Sequence, residues 1–175
     1  MDYTGTVQAV VGGLGEKPGD GAFNRATQAT RSPGSTMKPI STYSLAVQKN
    51  LITYSTLIPD EAINIGTQDE PQIWPQNYGE VWGDGTLRTA WYGVQHSLNT
   101  LAVRVGRMNT TKAMYTQLTQ MLGFTTLVES DIALSPLCLG ALTNGAKLVE
   151  VAGAYQIFGN GGVYYRPMFY SKVED

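Results

Sequence analysis

Apolar residues recur every three or four positions in several stretches of the chain, a spacing that predicts amphipathic helices. The predicted helices begin near Ser35, Thr86, Leu101, Asn109 or Thr110, and Leu148. The first contains Pro39, which a helix tolerates only in its first turn because proline has no N–H to donate. That helix therefore cannot start much before Ser35, which we expect to cap it. The fourth is expected to end at Gly123 and the fifth just before Gly159, since glycine commonly follows a helix.

Segments rich in β-branched and aromatic residues predict a few strands near the ends of the chain, at 6–11, 161–165 and 168–173. Residues 23–30 favour either a further short strand or an extended arm. Residues 52–86 contain several prolines and glycines and little periodicity, which predicts a long irregular segment with a functional or covering role. Three aromatic residues are expected to pack this segment against the core: Trp74, Tyr78 and Trp82.

Composition argues against several classes of function. The 175 residues carry 12 basic and 14 acidic side chains, a net charge of −2, and so lack the basic surface that a nucleic-acid partner requires. The single cysteine, Cys138, excludes an internal disulfide and a cysteine metal site, and we expect it to be buried and inert. The single histidine, His96, makes a histidine metal site or a Ser-His-Asp triad hard to build.

No stretch approaches the roughly 20 apolar residues of a membrane span, and the first residues do not resemble a signal peptide.

Ser35 and Lys38 lie three positions apart at the predicted start of the first helix, so their side chains share one face. A serine hydroxyl becomes a strong nucleophile when a base takes its proton, and a lysine can be that base if its pKa falls. Burial and the positive end of a helix both lower a lysine pKa, and free N–H groups there can stabilise an oxyanion. The alternative is a capping serine beside a solvated lysine.

A second candidate is Ser97-Leu98-Asn99, which lies between two predicted helices, as a tight loop would. A serine hydroxyl there can relay a proton to a leaving amine, and an amide can hold a substrate carbonyl. The simpler interpretation is that Ser97 and Asn99 bond the local backbone, as such residues commonly do in loops. His96 neighbours Ser97, but adjacent helical residues do not face each other, which disfavours a Ser–His pair.

Together these motifs resemble the transpeptidase domain of penicillin-binding proteins, most closely the class A, bifunctional type. The first motif is Ser35-Thr36-Met37-Lys38, and the second is Ser97-Leu98-Asn99, 62 residues further on. Three flanking segments also resemble the family: residues 23–27 (FNRAT), 139–145 (LGALTNG) and 158–164 (FGNGGVY). The resemblance extends over about residues 4–175.

The resemblance implies an α/β fold of the penicillin-binding-protein and β-lactamase type, here the mainly helical part with a few antiparallel strands at each end and an incomplete sheet. It also implies a D,D-transpeptidase, in which Ser35 attacks the penultimate D-Ala carbonyl of a peptidoglycan stem peptide and Lys38 accepts its proton. Ser97 would pass a proton to the departing D-Ala, and Asn99 would hold the acyl chain. An amine of a second stem peptide would resolve the acyl-enzyme. β-Lactams would acylate the same serine, and no cofactor or metal is implied.

The chain contains no Lys-Thr-Gly sequence, the third motif of the family. By the resemblance that motif lies on a later strand, so we expect residues 1–175 to be a partial transpeptidase domain, without the family's glycosyltransferase domain and membrane anchor. We also expect this chain alone to be acylated slowly. The parent protein would act on the outer face of the bacterial cell membrane. Two alternatives stay open: a D,D-carboxypeptidase or β-lactamase of the same superfamily, and a non-catalytic penicillin-binding fragment or sensor.

Overall fold

A computed structural model describes residues 1–16 and 19–174, along which short helices and strands alternate. The helices are α1 (π-helical at Lys38–Tyr43, α-helical at Ser44–Gln48), α2 (Ala90–Gln95), α3 (Asn99–Asn109), α4 (Thr111–Thr116, π-helical at Gln117–Met121), α5 (Leu134–Leu139) and α6 (Leu148–Tyr155, 3-10 at Gln156–Phe158). Two further 3-10 turns lie at Gly34–Thr36 and Glu129–Asp131. The strands are β1 (Thr30–Arg31), β2 (Leu57–Pro59), β3 (Ile63–Asn64), β4 (Ile73–Trp74), β5 (Leu87–Thr89) and β6 (Ala146–Lys147).

The strands form separate antiparallel pairs instead of one sheet: β1 with β6, β2 with β5, and β3 with β4. In the first pair Thr30 lies opposite Lys147, and Arg31 lies opposite Ala146. This pair ties the segment that leads into the Gly34–Thr36 turn to the residues just before α6. Since a two-stranded pair is marginally stable in water, the helices and loops around each pair must support it.

Two buried apolar clusters meet at α3, which contributes Val103 to one and Leu101 to the other. Helix α1 also borders both clusters, because Ile40 packs in the first and Tyr43 in the second. With packing on both sides of α1, the lysine at its start, Lys38, is only 2% exposed. The core therefore places an ionisable side chain in surroundings that water barely reaches.

The mixed α/β class expected from the sequence is confirmed, and so are several helix boundaries. Helix α4 is capped by Thr110, whose side chain accepts a hydrogen bond from the Ala113 N–H at 3.4 Å. The chain leaves that helix through Gly123, at φ +70°, and leaves α6 at Gly159. Cys138 is fully buried, and burial raises the pKa of its thiol to about 12, which agrees with an inert cysteine.

The strands predicted near the ends of the chain are not formed as such. Residues 6–11 and 161–173 meet in one parallel bridge, in which Val7 N–H donates to Met168 O and Met168 N–H donates to Gly5 O, both at 2.8 Å. Strand propensity alone does not hold a strand, because each N–H and C=O needs a partner on a neighbouring strand. In the part of the chain that the structure describes, these segments find that pairing only at the bridge.

The irregular character of residues 52–86 is confirmed, apart from the short strands within it. Trp74 packs against the core as expected, whereas Tyr78 is 97% exposed and Trp82 is 50% exposed, so the packing predicted for those two is wrong. The helix predicted from Thr86 begins only at Ala90, because Leu87–Thr89 pairs with β2.

Gly140 allows the end of α5 to lie close to the Gly34–Thr36 turn, because it has no Cβ. It ends α5 in a left-handed conformation (φ +76°), and a Cβ there would overlap the backbone of Gly34. Gly161 has a similar φ of +79° but open space around it, which makes it a matched control.

We expect Gly161→Ala to lower the free energy of unfolding by about 1 kcal/mol, the strain of a left-handed alanine. Gly140→Ala should cost about 1–3 kcal/mol more, because it adds the steric overlap with Gly34. Urea unfolding of the two variants measures the difference. Equal losses would show that the contact with Gly34 does not constrain the fold.

Candidate active site

Ser35 lies in the middle of the 3-10 turn that leads through Met37 into α1, and its side chain is exposed. The expectation that Ser35 caps this helix is wrong. The turn begins earlier, at Pro33, whose φ of −74° and ψ of −15° are already helical, and no side chain makes the cap hydrogen bond. Because its hydroxyl is not used in a cap, Ser35 presents it at the surface of the helix start.

Hydrogen bonds from distant helices hold this turn in place. Tyr155 of α6 donates its hydroxyl to Thr36 O at 2.8 Å, and Ser32 donates its hydroxyl to Gly140 O, at the end of α5, at 2.7 Å. Within the turn, the Thr36 hydroxyl donates to Pro33 O at 2.7 Å. The backbone around Ser35 is therefore fixed from both α5 and α6.

Lys38 brings the two sequence motifs together. Its Nζ donates to Ser97 O at 2.5 Å, to Ser97 Oγ at 3.0 Å and to Asn99 Oδ1 at 2.6 Å. The structure thus brings Lys38 of the first motif together with Ser97 and Asn99 of the second, whereas the hydrogen bonds of the described residues include none from the Ser35 hydroxyl to Lys38 or Ser97. These three acceptors match the three protons of an ammonium group.

Burial lowers the pKa of Lys38 to about 8, because the charged form is poorly solvated in the core. The three acceptors around Nζ are uncharged, and none of the ion pairs formed by the described residues involves Lys38. With that pKa about one lysine in ten is unprotonated at pH 7, far more than for a solvated lysine. Lys38 can therefore accept a proton near neutral pH.

Ser97 occupies a strained turn between α2 and α3. Its φ is +53°, in the left-handed region, which costs a non-glycine residue about 1–2 kcal/mol. In this conformation both its carbonyl oxygen and its hydroxyl contact Lys38. The adjacent His96 stacks on Tyr92, with ring centroids 4.0 Å apart, and makes no hydrogen bond to Ser97 among the described residues.

Asn99 is the first residue of α3, and all its polar groups are engaged with specific partners. While Oδ1 accepts from Lys38, Nδ2 donates to Gln76 O at 2.7 Å. The Asn99 backbone N–H donates to Asn77 Oδ1 at 2.8 Å. Gln76 and Asn77 belong to the irregular segment, which the sequence marked as functional or covering without singling out either residue.

No group of three or more histidine, cysteine, aspartate or glutamate side chains is placed to hold a metal ion among residues 1–16 and 19–174. Over the same residues, no helix is long and apolar enough to cross a membrane.

Comparison with known proteins identifies the family to which this chain belongs. The family model "Penicillin binding protein transpeptidase domain" matches residues 2–175. Penicillin-binding protein 1A of Clostridium acetobutylicum is 31% identical over the whole chain, which covers 22% of that relative. Penicillin-binding protein 4 of Bacillus subtilis is 37% identical over 87% of the chain and 23% of its own length.

Solved structures show the same fold. Penicillin-binding protein 1A from Haemophilus influenzae superposes with a TM-score of 0.70 at 26% identity, over 89% of this chain and 22% of that one. Penicillin-binding protein A from M. tuberculosis, in a penicillin G acyl-enzyme complex, has a TM-score of 0.64 at 21% identity, over 87% of this chain and 38% of that one. The chain belongs to the penicillin-binding protein transpeptidase family. It spans about a fifth of the length of the curated relatives it matches.

The lowered pKa of Lys38 can be measured without any substrate. We expect its side-chain ¹⁵N resonance to titrate near pH 8 and to return to the ordinary lysine range when the chain is unfolded. Asn99→Asp should raise the Lys38 pKa, because it places a carboxylate against the ammonium. Asn144→Asp, the same substitution at an exposed site, should leave it unchanged. A native Lys38 that titrates with solvated lysines would contradict this account.

Proposed function

We propose that the chain carries the acyl-transfer centre of a peptidoglycan D,D-transpeptidase. The observation that carries the proposal is a buried Lys38 of lowered pKa, which lies one turn after an exposed serine and contacts the second motif. Family membership supports it, since the family is defined by transpeptidase domains. In this proposal Ser35 is the nucleophile and Lys38 the base, while Ser97 relays a proton and Asn99 binds the substrate.

In the first half-reaction, Ser35 Oγ attacks the carbonyl carbon of the penultimate D-Ala while unprotonated Lys38 takes the hydroxyl proton. The backbone N–H of Ser35 is the candidate to stabilise the oxyanion of the tetrahedral intermediate, since those of Thr36 and Met37 already donate within the turn. The C–N bond to the terminal D-Ala then breaks. The leaving amine receives the proton from Lys38 through Ser97 Oγ, which lies 3.0 Å from Nζ. The product is an ester between Ser35 and the shortened stem peptide.

In the second half-reaction, an amine of another stem peptide attacks this ester and forms the cross-link. The proton of that amine returns along the same route and restores the Ser35 hydroxyl and the Lys38 amine.

With a β-lactam the reaction would stop after the first half, because the ring opens onto Ser35 and yields a stable acyl-enzyme. Acyl-enzyme complexes with penicillin G and with imipenem are described for penicillin-binding protein A of M. tuberculosis. We place the parent protein on the outer face of the bacterial membrane, where stem peptides are cross-linked.

Covalent labelling with a fluorescent penicillin tests the nucleophile and the base. The wild-type chain should be labelled, over hours if acylation is slow, and Ser35→Ala should abolish labelling because the attacking oxygen is gone. Lys38→Ala should slow labelling by about 10²–10⁴-fold, the usual effect of losing a general base. Ser55→Ala, an exposed serine elsewhere, is the control. Labelling that survives in Ser35→Ala would refute the assignment.

The pH dependence of labelling follows from the Lys38 pKa. Because the unprotonated amine is the base, the rate should rise with pH and level off above about pH 8. The profile is obtained by measuring initial labelling rates between pH 6 and pH 10. A rate that does not change across this range would remove Lys38 from the role of base.

The acceptor distinguishes a transpeptidase from a hydrolase. With a peptide ending in D-Ala-D-Ala, a transpeptidase should release D-Ala faster when a D-amino acid or a stem-peptide amine is added, and should form the corresponding adduct. Release of D-Ala to water alone, unaffected by the amine, would indicate a carboxypeptidase instead. Mass spectrometry of the products measures both outcomes.

A further inference from the structure

Helix α3, which starts with Asn99, receives its N-terminal cap from a distant segment. Its own N-cap residue, Leu98, has no side chain that can accept a hydrogen bond. Instead, Asn77 Oδ1 accepts from the backbone N–H of Asn99 at 2.8 Å and from that of Thr100 at 3.3 Å. Asn77, more than 20 positions before Asn99, thus caps α3 as a serine or aspartate at position 98 would.

The orientation of the Asn77 amide is fixed by Asp60. Asn77 Nδ2 donates to Asp60 Oδ1 at 3.0 Å, and the same oxygen accepts from the Thr100 hydroxyl at 2.6 Å. The other oxygen, Oδ2, accepts from Arg88 Nε at 3.1 Å, and the Asp60 side chain is only 7% exposed. Since a carboxylate can only accept from these groups, the amide must turn its oxygen toward α3.

This arrangement holds the strained part of the site. Ser97 keeps a positive φ two residues before Asn99, and such strain persists only where the surroundings enforce it. The Gln76-Asn77 segment holds Asn99 at two points, through the Gln76 carbonyl and the Asn77 side chain. Asn99 in turn presents its Oδ1 to Lys38 at 2.6 Å. Displacement of Asn77 would therefore move Asn99 relative to Lys38.

We propose that Asn77 and Asp60 are positioning residues of the acyl-transfer site, which act by holding the Ser97-Leu98-Asn99 turn against Lys38. The inference rests on the proposed function, because the turn matters to the reaction only if Ser97 and Asn99 take part in it. Neither residue reaches Lys38 or Ser35 in the network described, so their effect passes through Asn99 and Thr100.

An exchange of the two side chains gives a sharp test. Asn77→Asp alone faces Asp60 with a second carboxylate, and we expect β-lactam acylation to slow by about 10–100-fold, the scale of a displaced catalytic group. In the double variant Asp60→Asn/Asn77→Asp, the new amide at position 60 can donate to the new carboxylate, which still accepts both N–H groups of α3. Acylation should return to within about threefold of the wild-type rate.

A stability control separates positioning from folding. Asn109 is buried at the far end of α3, about 15 Å along the helix, where its Nδ2 donates to Thr42 O at 2.7 Å. Asn109→Ala should lower the thermal midpoint but leave the acylation rate of the folded chain unchanged. Asn77→Ala should lower the rate, and it should move the midpoint of the pH–rate profile to lower pH, because the Lys38 ammonium loses the firm contact with Asn99.

Failure of this inference can be told from failure of the proposed function. Wild-type rates in Asn77→Asp and Asn77→Ala, or a folded double variant that stays slow, would overturn the positioning role. Absence of Ser35 labelling in the wild-type chain would overturn the proposed function instead. In that case the ¹⁵N titration of Lys38 still tests the structural part of the inference, that Asn77 holds Asn99 against Lys38. A lower Lys38 pKa in Asn77→Ala, but not in Asn109→Ala, supports it, and equal pKa values in both refute it.

Discussion

The burial of one amine without a counter-ion is the constraint on which the rest of the site depends. Lys38 is 2% exposed, its three acceptors are uncharged, and its pKa falls to about 8. A carboxylate in place of any of those acceptors would stabilise the ammonium and remove the base. An apolar group in place of one of the acceptors would leave a proton of the Lys38 ammonium without a hydrogen bond in the core. Neutral oxygen acceptors are the compromise, and a serine and an asparagine supply them.

Features that act over a few residues were the ones that the sequence could predict. Pro39 limited the start of α1, Thr110 and Gly123 bounded α4, and the Ser35–Lys38 spacing placed a hydroxyl and an amine one turn apart. These features depend on local backbone geometry and on the chemistry of single side chains. The capping role given to Ser35 failed for a local reason, since Pro33 had already entered the helical region.

Features that depend on distant partners could not be predicted in the same way. Helix α6 is amphipathic as expected, but Glu150 lies buried while Leu148 and Phe158 are 62% and 54% exposed. The reason is tertiary, because Glu150 accepts hydrogen bonds from the Thr125 N–H and hydroxyl. Asn77 likewise lies in an irregular segment, and only the folded chain shows that it reaches α3. Periodicity indicates that a face exists, and the partners decide which face is covered.

The same division explains how the site is built. The Ser35 turn is held by α5 and α6 from the C-terminal half of the chain, through Gly140 and Tyr155. The Ser35 turn forms one wall of the site. Residues 97–99 form the second wall, which the irregular segment holds through Asn77. Lys38 is the direct link between the second wall and the helix that the Ser35 turn begins. Because each wall is fixed by a different region, a substitution far from Ser35 can alter one wall while the other keeps its geometry. Such a substitution changes the distances between Lys38 Nζ and its acceptors. The pKa of Lys38 depends on those distances.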